Sequence, residues 1–207
     1  MKPLRAETRD LAVPVSLDST VGIGKIGGYI AKYNTESQVL YDIRVLADPE
    51  GKPLPFQELI APGAFTRTLL ENKDIPALYN HDQRSVLGRT SSGTLTLTED
   101  AVGLAFSLEL PDTGLGRDSR ELVRRGDIVG CSFGFYSVIE EITIRDGLPA
   151  LRTLIEVDIF ETTPVCTFPA YSDSEVELRN RNLRQHGALA VGSFLANARR
   201  LQLLDVD

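Results

Sequence analysis

Residues 128–139 form the most apolar run of the chain, and Gly130 and Gly134 interrupt it on either side of Ser132. A run of this kind reads as a long strand, with the glycines as bends or points of close backbone approach. Residues 140–144 continue it until Arg145-Asp146-Gly147 turns the chain. Residues 151–160 then alternate again. Leu154, Glu156, Asp158 and Phe160 fall on one face, and Thr153, Ile155, Val157, Ile159 and Glu161 on the other.

Shorter strands are expected over residues 26–33, 39–46, 56–60, 75–79, 86–89, 94–98 and 103–110. Leu95 and Leu97 between Thr94, Thr96 and Thr98 give the period of a sheet with one wet face. Two helices interrupt the strands. One runs from Pro62 to about Asn72, with Phe65, Leu69 and Leu70 on one side; the other spans residues 117–125 and stops at Gly126. Residues 1–20 read as an arm or an edge strand, 21–174 as the main domain, and 175–207 as a polar linker followed by a helical tail over 188–204. This pattern predicts a β-rich α+β chain. Gly22, Gly24, Gly27 and Gly28 do not form a phosphate-binding GxGxxG ahead of a helix.

Lys and Arg number 22 against 29 Asp and Glu, a net charge of −7, which argues against a general nucleic-acid binder. The two cysteines, Cys131 and Cys166, are too few for a disulfide scaffold or a cysteine-based zinc site. With only His81 and His186, metal chemistry needing several imidazoles is not expected, and no cofactor is implied. No apolar run is long enough for a membrane span, and no signal peptide is expected.

A serine flanked by glycines in an apolar strand has two readings: a buried hydroxyl bonded to the backbone at a bulge, or a nucleophile whose glycines admit a substrate backbone. Gly130-Cys131-Ser132-Phe133-Gly134 has the GxSxG spacing, but it continues a strand and does not open a helix, so no nucleophile elbow is read. Neighbouring strand residues face opposite ways, so a Ser132 in a cleft would place Cys131 in the core. His81, within Asn80-His81-Asp82, is either a solvated turn residue or the base that a serine nucleophile needs. A carboxylate to hold its tautomer could be Asp158, Glu161, Glu156 or the adjacent Asp82. A cysteine hydrolase using Cys131 with His81 is a rival that strand parity disfavours.

Several blocks, in this order, resemble one family. They are Gly28-Tyr29-Ile30-Ala31; Glu58-Leu59-Ile60-Ala61-Pro62-Gly63-Ala64-Phe65; Asn80-His81-Asp82; Val86-Leu87-Gly88-Arg89-Thr90; Ser132-Phe133-Gly134-Phe135; and residues 154–161 running into Phe168-Pro169-Ala170-Tyr171. Together they resemble the prohead (procapsid maturation) proteases of tailed bacteriophages over about residues 23–172. The resemblance implies a herpesvirus-protease-like fold, a mostly antiparallel β-barrel flanked by helices. It also implies a serine endopeptidase with Ser132 as nucleophile and His81 as general base. Glu161 is the favoured third member and Asp158 the runner-up; Thr163 stands where the family pattern has Ser. Implied substrates are scaffolding protein, major capsid protein and the protease itself, inside the assembling procapsid in the host cytoplasm. Self-association is expected, and neither nucleic acid nor membrane is an expected partner. A different class, a non-catalytic capsid-assembly or scaffold-binding module on the same fold, predicts that Ser132 is dispensable.

Overall fold

The computed structural model describes residues 6–11, 16–18, 24–128 and 130–166. The chain divides into two units at Ser174 and Glu175, and all described residues lie in the first. The elements in order are β1 (Ala6–Leu11), β2 (Ser16–Asp18), β3 (Lys25–Lys32), β4 (Leu40–Tyr41), β5 (Pro55–Ile60), α1 (Thr66–Leu70), β6 (Pro76–Tyr79), β7 (Asp82–Arg89), β8 (Leu95–Glu99), β9 (Gly103–Glu109), α2 (Gly114–Arg125), β10 (Gly130–Thr143) and β11 (Ala150–Cys166).

The strands form two open sheets, where the resemblance implied a barrel. One has the order β1-β10-β11-β5-β4, with β6 and β7 joined to it through β11; the other has the order β2-β3-β9-β8. No pairing among the described residues closes either sheet, so the barrel expectation is corrected. The ladders are also not all antiparallel. β11 runs parallel to β5 at its start and parallel to β6 at its end. Between those two partners its edge is completed by backbone and a helix: Val157 N donates to Ala64 O at 3.0 Å, and Ile159 N donates to Thr68 Oγ1 at 3.2 Å. Thr68 Oγ1 in turn donates to Val157 O at 2.8 Å. One buried hydroxyl on α1 thus stands in for a missing strand neighbour.

The inner faces of the two sheets share one apolar cluster. Ile26, Ile30, Leu104, Phe106 and Leu108 come from one sheet, and Phe133, Phe135, Leu154, Val157 and Ile159 from the other. Phe65 meets Phe133 edge-on at 5.8 Å, and Phe133 stacks on Phe135 at 5.1 Å. Cys131 belongs to this core.

Local differences from the sequence reading have identifiable causes. Over residues 39–46 only Leu40–Tyr41 is strand, because Asp42 folds the next residues into a turn: its carboxylate accepts from Arg44 N at 2.8 Å and its carbonyl from Val45 N at 2.9 Å. The first helix is short, and Asn72, in the left-handed region at φ 49°, turns the chain beyond it. The second starts earlier than 117, since Thr113 Oγ1 caps Gly116 N at 3.2 Å. The expected tail helix over 188–204 lies outside the described residues.

Candidate active site

The site is built on β10 and β11. Phe133 and Phe135 point into the core, so Ser132 and Gly134 point to the opposite face. Across the ladder Ser132 pairs with Thr163 and Gly134 with Glu161. Glu161 reaches that face only through a bulge. Gly134 and Phe135 are adjacent, yet their partners Glu161 and Ile159 are separated by Phe160. The extra residue reverses the alternation, so Ile159 stays in the core and Glu161 turns to the side of Ser132.

Gly134 makes room for this. A Cβ there would lie 2.8 Å from Glu161 Cγ and 2.6 Å from the Phe160 ring. The glycine two residues past the serine is thus explained by the carboxylate stem and ring packed over it.

His81 arrives from the turn between β6 and β7. Tyr79 pairs with Asp82, and the two residues between them, Asn80 and His81, have φ of 52° and 61°. Both central residues of a type I′ hairpin turn require positive φ, a role usually filled by Asn-Gly. A histidine there occupies a costly backbone region and is held in place by β6, whose partner is β11. Its Nδ1 lies 2.6 Å from Glu161 Oε1. Thr163 Oγ1 donates to Glu161 Oε2 at 2.9 Å and is 3.4 Å from His81 Nδ1. The Glu161 side chain is 8% exposed and that of His81 29%, so the pair sits at the edge of the interior.

Ser132 is fully buried, not open to a cleft, and its Oγ donates to the main-chain oxygen of Arg9 in β1 at 2.9 Å. The four side chains expected to matter therefore separate. Ser132, Glu161 and Thr163 share one face of the β10–β11 ladder, with His81 on Glu161. Asp158 is elsewhere, paired with Lys73 Nζ at 2.7 Å, and that pairing raises the Lys73 pKa. Asp82 bonds Arg84, which together with the amide of Arg84 holds its carboxyl below the usual range. Glu156 pairs with Arg67 at 2.6 Å. Arg89 pairs with Asp74 at 2.7 Å and Arg117 with Asp112 at 2.5 Å, so both guanidiniums are engaged. Cys131 Sγ lies 3.7 Å from the Pro164 carbonyl, inside the core and on the other face from Ser132.

Thr163 was legible only as a departure from a family pattern; its hydroxyl touches both Glu161 and His81. Arg9 carried no sequence signal, since its part is played by a carbonyl. A cavity of about 270 Å³ opens beside Glu161, lined by Pro76, Leu78, Gln83, Val86, Arg89 and Phe160. Among the described residues no group of three His, Cys, Asp or Glu side chains is arranged to hold a metal ion.

Comparison with known proteins adds the lineage. No curated protein sequence matches the chain. Among solved structures, the bacteriophage T4 capsid assembly protease, gp21, aligns with a TM-score of 0.46 and 9% identity, covering 79% of this chain and 96% of that one. The family model described as caudovirus prohead serine protease (Peptidase S78) matches residues 11–188. That span holds His81, Ser132, Glu161 and Thr163 and takes in most of the sequence, and by it the chain belongs to the caudovirus prohead serine protease family.

Proposed function

We propose that this chain is a serine endopeptidase that cleaves capsid and scaffolding proteins, and itself, inside the assembling procapsid in the host cytoplasm. The observation that carries the mechanism is the imidazole of His81 held by Glu161 through Nδ1, over the sheet face that bears Ser132. A carboxylate on Nδ1 fixes the tautomer whose Nε2 is basic and stabilises the imidazolium once it forms. His81 takes the Ser132 proton as Oγ attacks the scissile carbonyl. The imidazolium returns that proton to the leaving amine, and water, activated by the same base, releases the acyl group from Oγ. Thr163 acts as a positioning residue, bonding the Glu161 oxygen that does not face His81. Developing charge on the carbonyl oxygen needs preorganised donors, each worth about 3–4 kcal/mol. Residues 175–207 are proposed to dock the enzyme on scaffold or shell.

One observation favours the second reading, a non-catalytic assembly module: Ser132 is buried and bonded to main chain. Co-expression of the wild type and Ser132→Ala with the neighbouring capsid and scaffold proteins, read by intact mass, separates the two. Cleavage that vanishes in Ser132→Ala supports the peptidase; equal cleavage in both removes Ser132 as nucleophile. Particles that assemble with no cleavage in either favour the module.

A further inference from the structure

The face of the sheet that carries Ser132 and Glu161 should be polar, since the shared core lies on the other side. Beyond Glu161 it is not. Leu78 is 2% exposed, yet it stands outside the core cluster that holds its neighbour Ala77. Successive strand residues alternate, so Leu78 belongs to the outer face. Its partner across the β6–β7 ladder is Val86, 44% exposed and next to the core residue Leu87. Phe160, the bulge residue of β11, lies on the same face. Its ring packs over Gly134 and against Tyr136, with the two ring centroids 4.9 Å apart. Gly134 is two residues past Ser132 on β10, about 7 Å along the strand.

Leu78, Val86 and Phe160 are the apolar walls of the cavity of about 270 Å³ beside Glu161, and Gln83 and Arg89 are its polar ones. The cavity and the His81 pairing therefore share one residue, Glu161. The space is below the roughly 300–1,000 Å³ of sites that hold a whole small molecule, so it suits a single side chain.

We propose that this cavity is a specificity subsite: it takes one uncharged aliphatic side chain of the substrate, of about the size of Leu or Met, from a residue close to the scissile bond. This deepens the serine-peptidase reading and rests on it.

The charges decide the class of occupant. Both oxygens of Glu161 are engaged, Oε1 by His81 and Oε2 by Thr163, and Arg89 is held by Asp74 at 2.7 Å. An acidic side chain would meet the Glu161 carboxylate and find Arg89 already paired. A basic one would compete with His81 for Glu161 and loosen the base. An aliphatic one does neither. It covers Leu78, Val86 and Phe160 and expels water from the flank of Glu161, where the attraction between carboxylate and imidazolium grows as the local dielectric falls.

The test uses the full chain and a peptide library varied one position at a time. Two signals are read: cleavage by the wild type, and binding to Ser132→Ala. At one position Leu or Met should be favoured over Ala, Asp and Lys by about tenfold or more. Val86→Trp, which fills the cavity, should abolish that preference, favour Ala or Gly there, and leave the preferences at other positions as they were. Val86→Ala, which enlarges it, should admit Phe at the same position. Val86 lies outside the core cluster and is half-exposed, so neither change disturbs the core. Val102→Trp, at a residue 47% exposed between β8 and β9, is the control and should alter nothing. A set of preferences that neither Val86 variant moves would overturn the subsite. So would an acidic or basic residue as the favoured occupant of the position that they move. If binding to Ser132→Ala shows the preference, and Ser132→Ala/Val86→Trp loses it, while the wild type cleaves no peptide, the subsite stands and the serine-peptidase reading falls. Peptides neither bound nor cleaved would overturn both.

Discussion

Replacing Arg152 by Met should be among the most damaging single changes outside the site. Arg152 is 1% exposed and sits among Glu7, Glu58 and Glu140, with Arg9 as a second cation on Glu7 and Glu58. Burial works against its charge, but the hydrogen bonds it donates to Glu7 and the fields of Glu58 and Glu7 outweigh that, so its pKa is raised. Met fills a similar volume but leaves buried carboxylates without their main cation. Removing one partner of a buried, hydrogen-bonded ion pair costs about 3–5 kcal/mol, a large share of the roughly 5–15 kcal/mol that holds a domain folded. The loss should depend on pH, with a sign that follows from linkage. Carboxylates left buried without their cation favour the protonated form, so the folded variant binds more protons than the unfolded one. Stability then falls as pH rises through that window, and the penalty is largest above it. Urea unfolding followed by circular dichroism at about pH 7.5 and about pH 5.5 should show the smaller loss at the lower pH. A loss under about 1 kcal/mol at the higher pH, or one that is equal at both, would refute the reasoning, since single-partner removal in a buried pair sets the scale. Arg84→Ala is the control, because Arg84 bonds Asp82 with its side chain 91% exposed and should leave the midpoint unchanged.

Glu161→Gln should lower kcat by up to about 10⁴-fold, because an amide supports the wrong tautomer of His81; Asp158→Asn, which only loses Lys73, should leave the peptide-cleavage rate within about twofold. Thr163→Val should lower kcat roughly 10–100-fold through loss of one hydrogen bond to a carboxylate, whereas Thr163→Ser, which keeps the hydroxyl, should largely retain it in the same assay. Gly134→Ala drives a methyl into the Phe160 ring and the Glu161 stem; it should cost about 1–3 kcal/mol by urea unfolding and displace Glu161 from His81.

The strands were largely legible because most of them alternate. β8 with Leu95 and Leu97 against threonines, and β9 after the Glu99-Asp100 turn, came out near their expected positions. What a period-two reading cannot contain is a change of phase within one strand. In β11, Ile155 was assigned with Val157 and Ile159 to a single face, yet it is 40% exposed while Leu154 and Val157 are both buried. The ladder steps from Glu140–Leu154 to Ile139–Glu156, so Ile155 is an extra residue. The second bulge, at Phe160, decides which carboxylate can meet His81, and parity alone had left Glu161 on the core face. Other features escaped for different reasons. The contact of Ser132 with Arg9 is made to a carbonyl, which every residue possesses. The turn at Asn80 and His81 uses positive φ at two successive non-glycine residues, which no sequence pattern specifies. The short, polar β1 has no period of its own, so residues 1–20 read only as an arm or an edge strand; the structure makes it an edge strand, tied by ion pairs to residues far along the chain.

The position of β11 has a consequence for the order in which the protein is made. This strand supplies Glu161 and Thr163, and it pairs with β10, with β5 and with β6. β10, which carries Ser132, and β6, which leads to His81, gain their second neighbour only when residues 150–166 are in place, and so does the helix contact of Thr68 with Val157 and Ile159. The pairings with β5 and β6 join segments far apart in sequence, and they form late because the loops they close are long. A ribosome that has finished β10 but not β11 thus holds a chain with its serine and its histidine already synthesised and no acid to unite them. Chains stalled before residue 150 should be digested readily by an added protease, and chains stalled well past residue 166 should resist. On the proposed assignment of Glu161, a chain that has not reached residue 161 lacks the carboxylate that holds His81 and should show no peptidase activity.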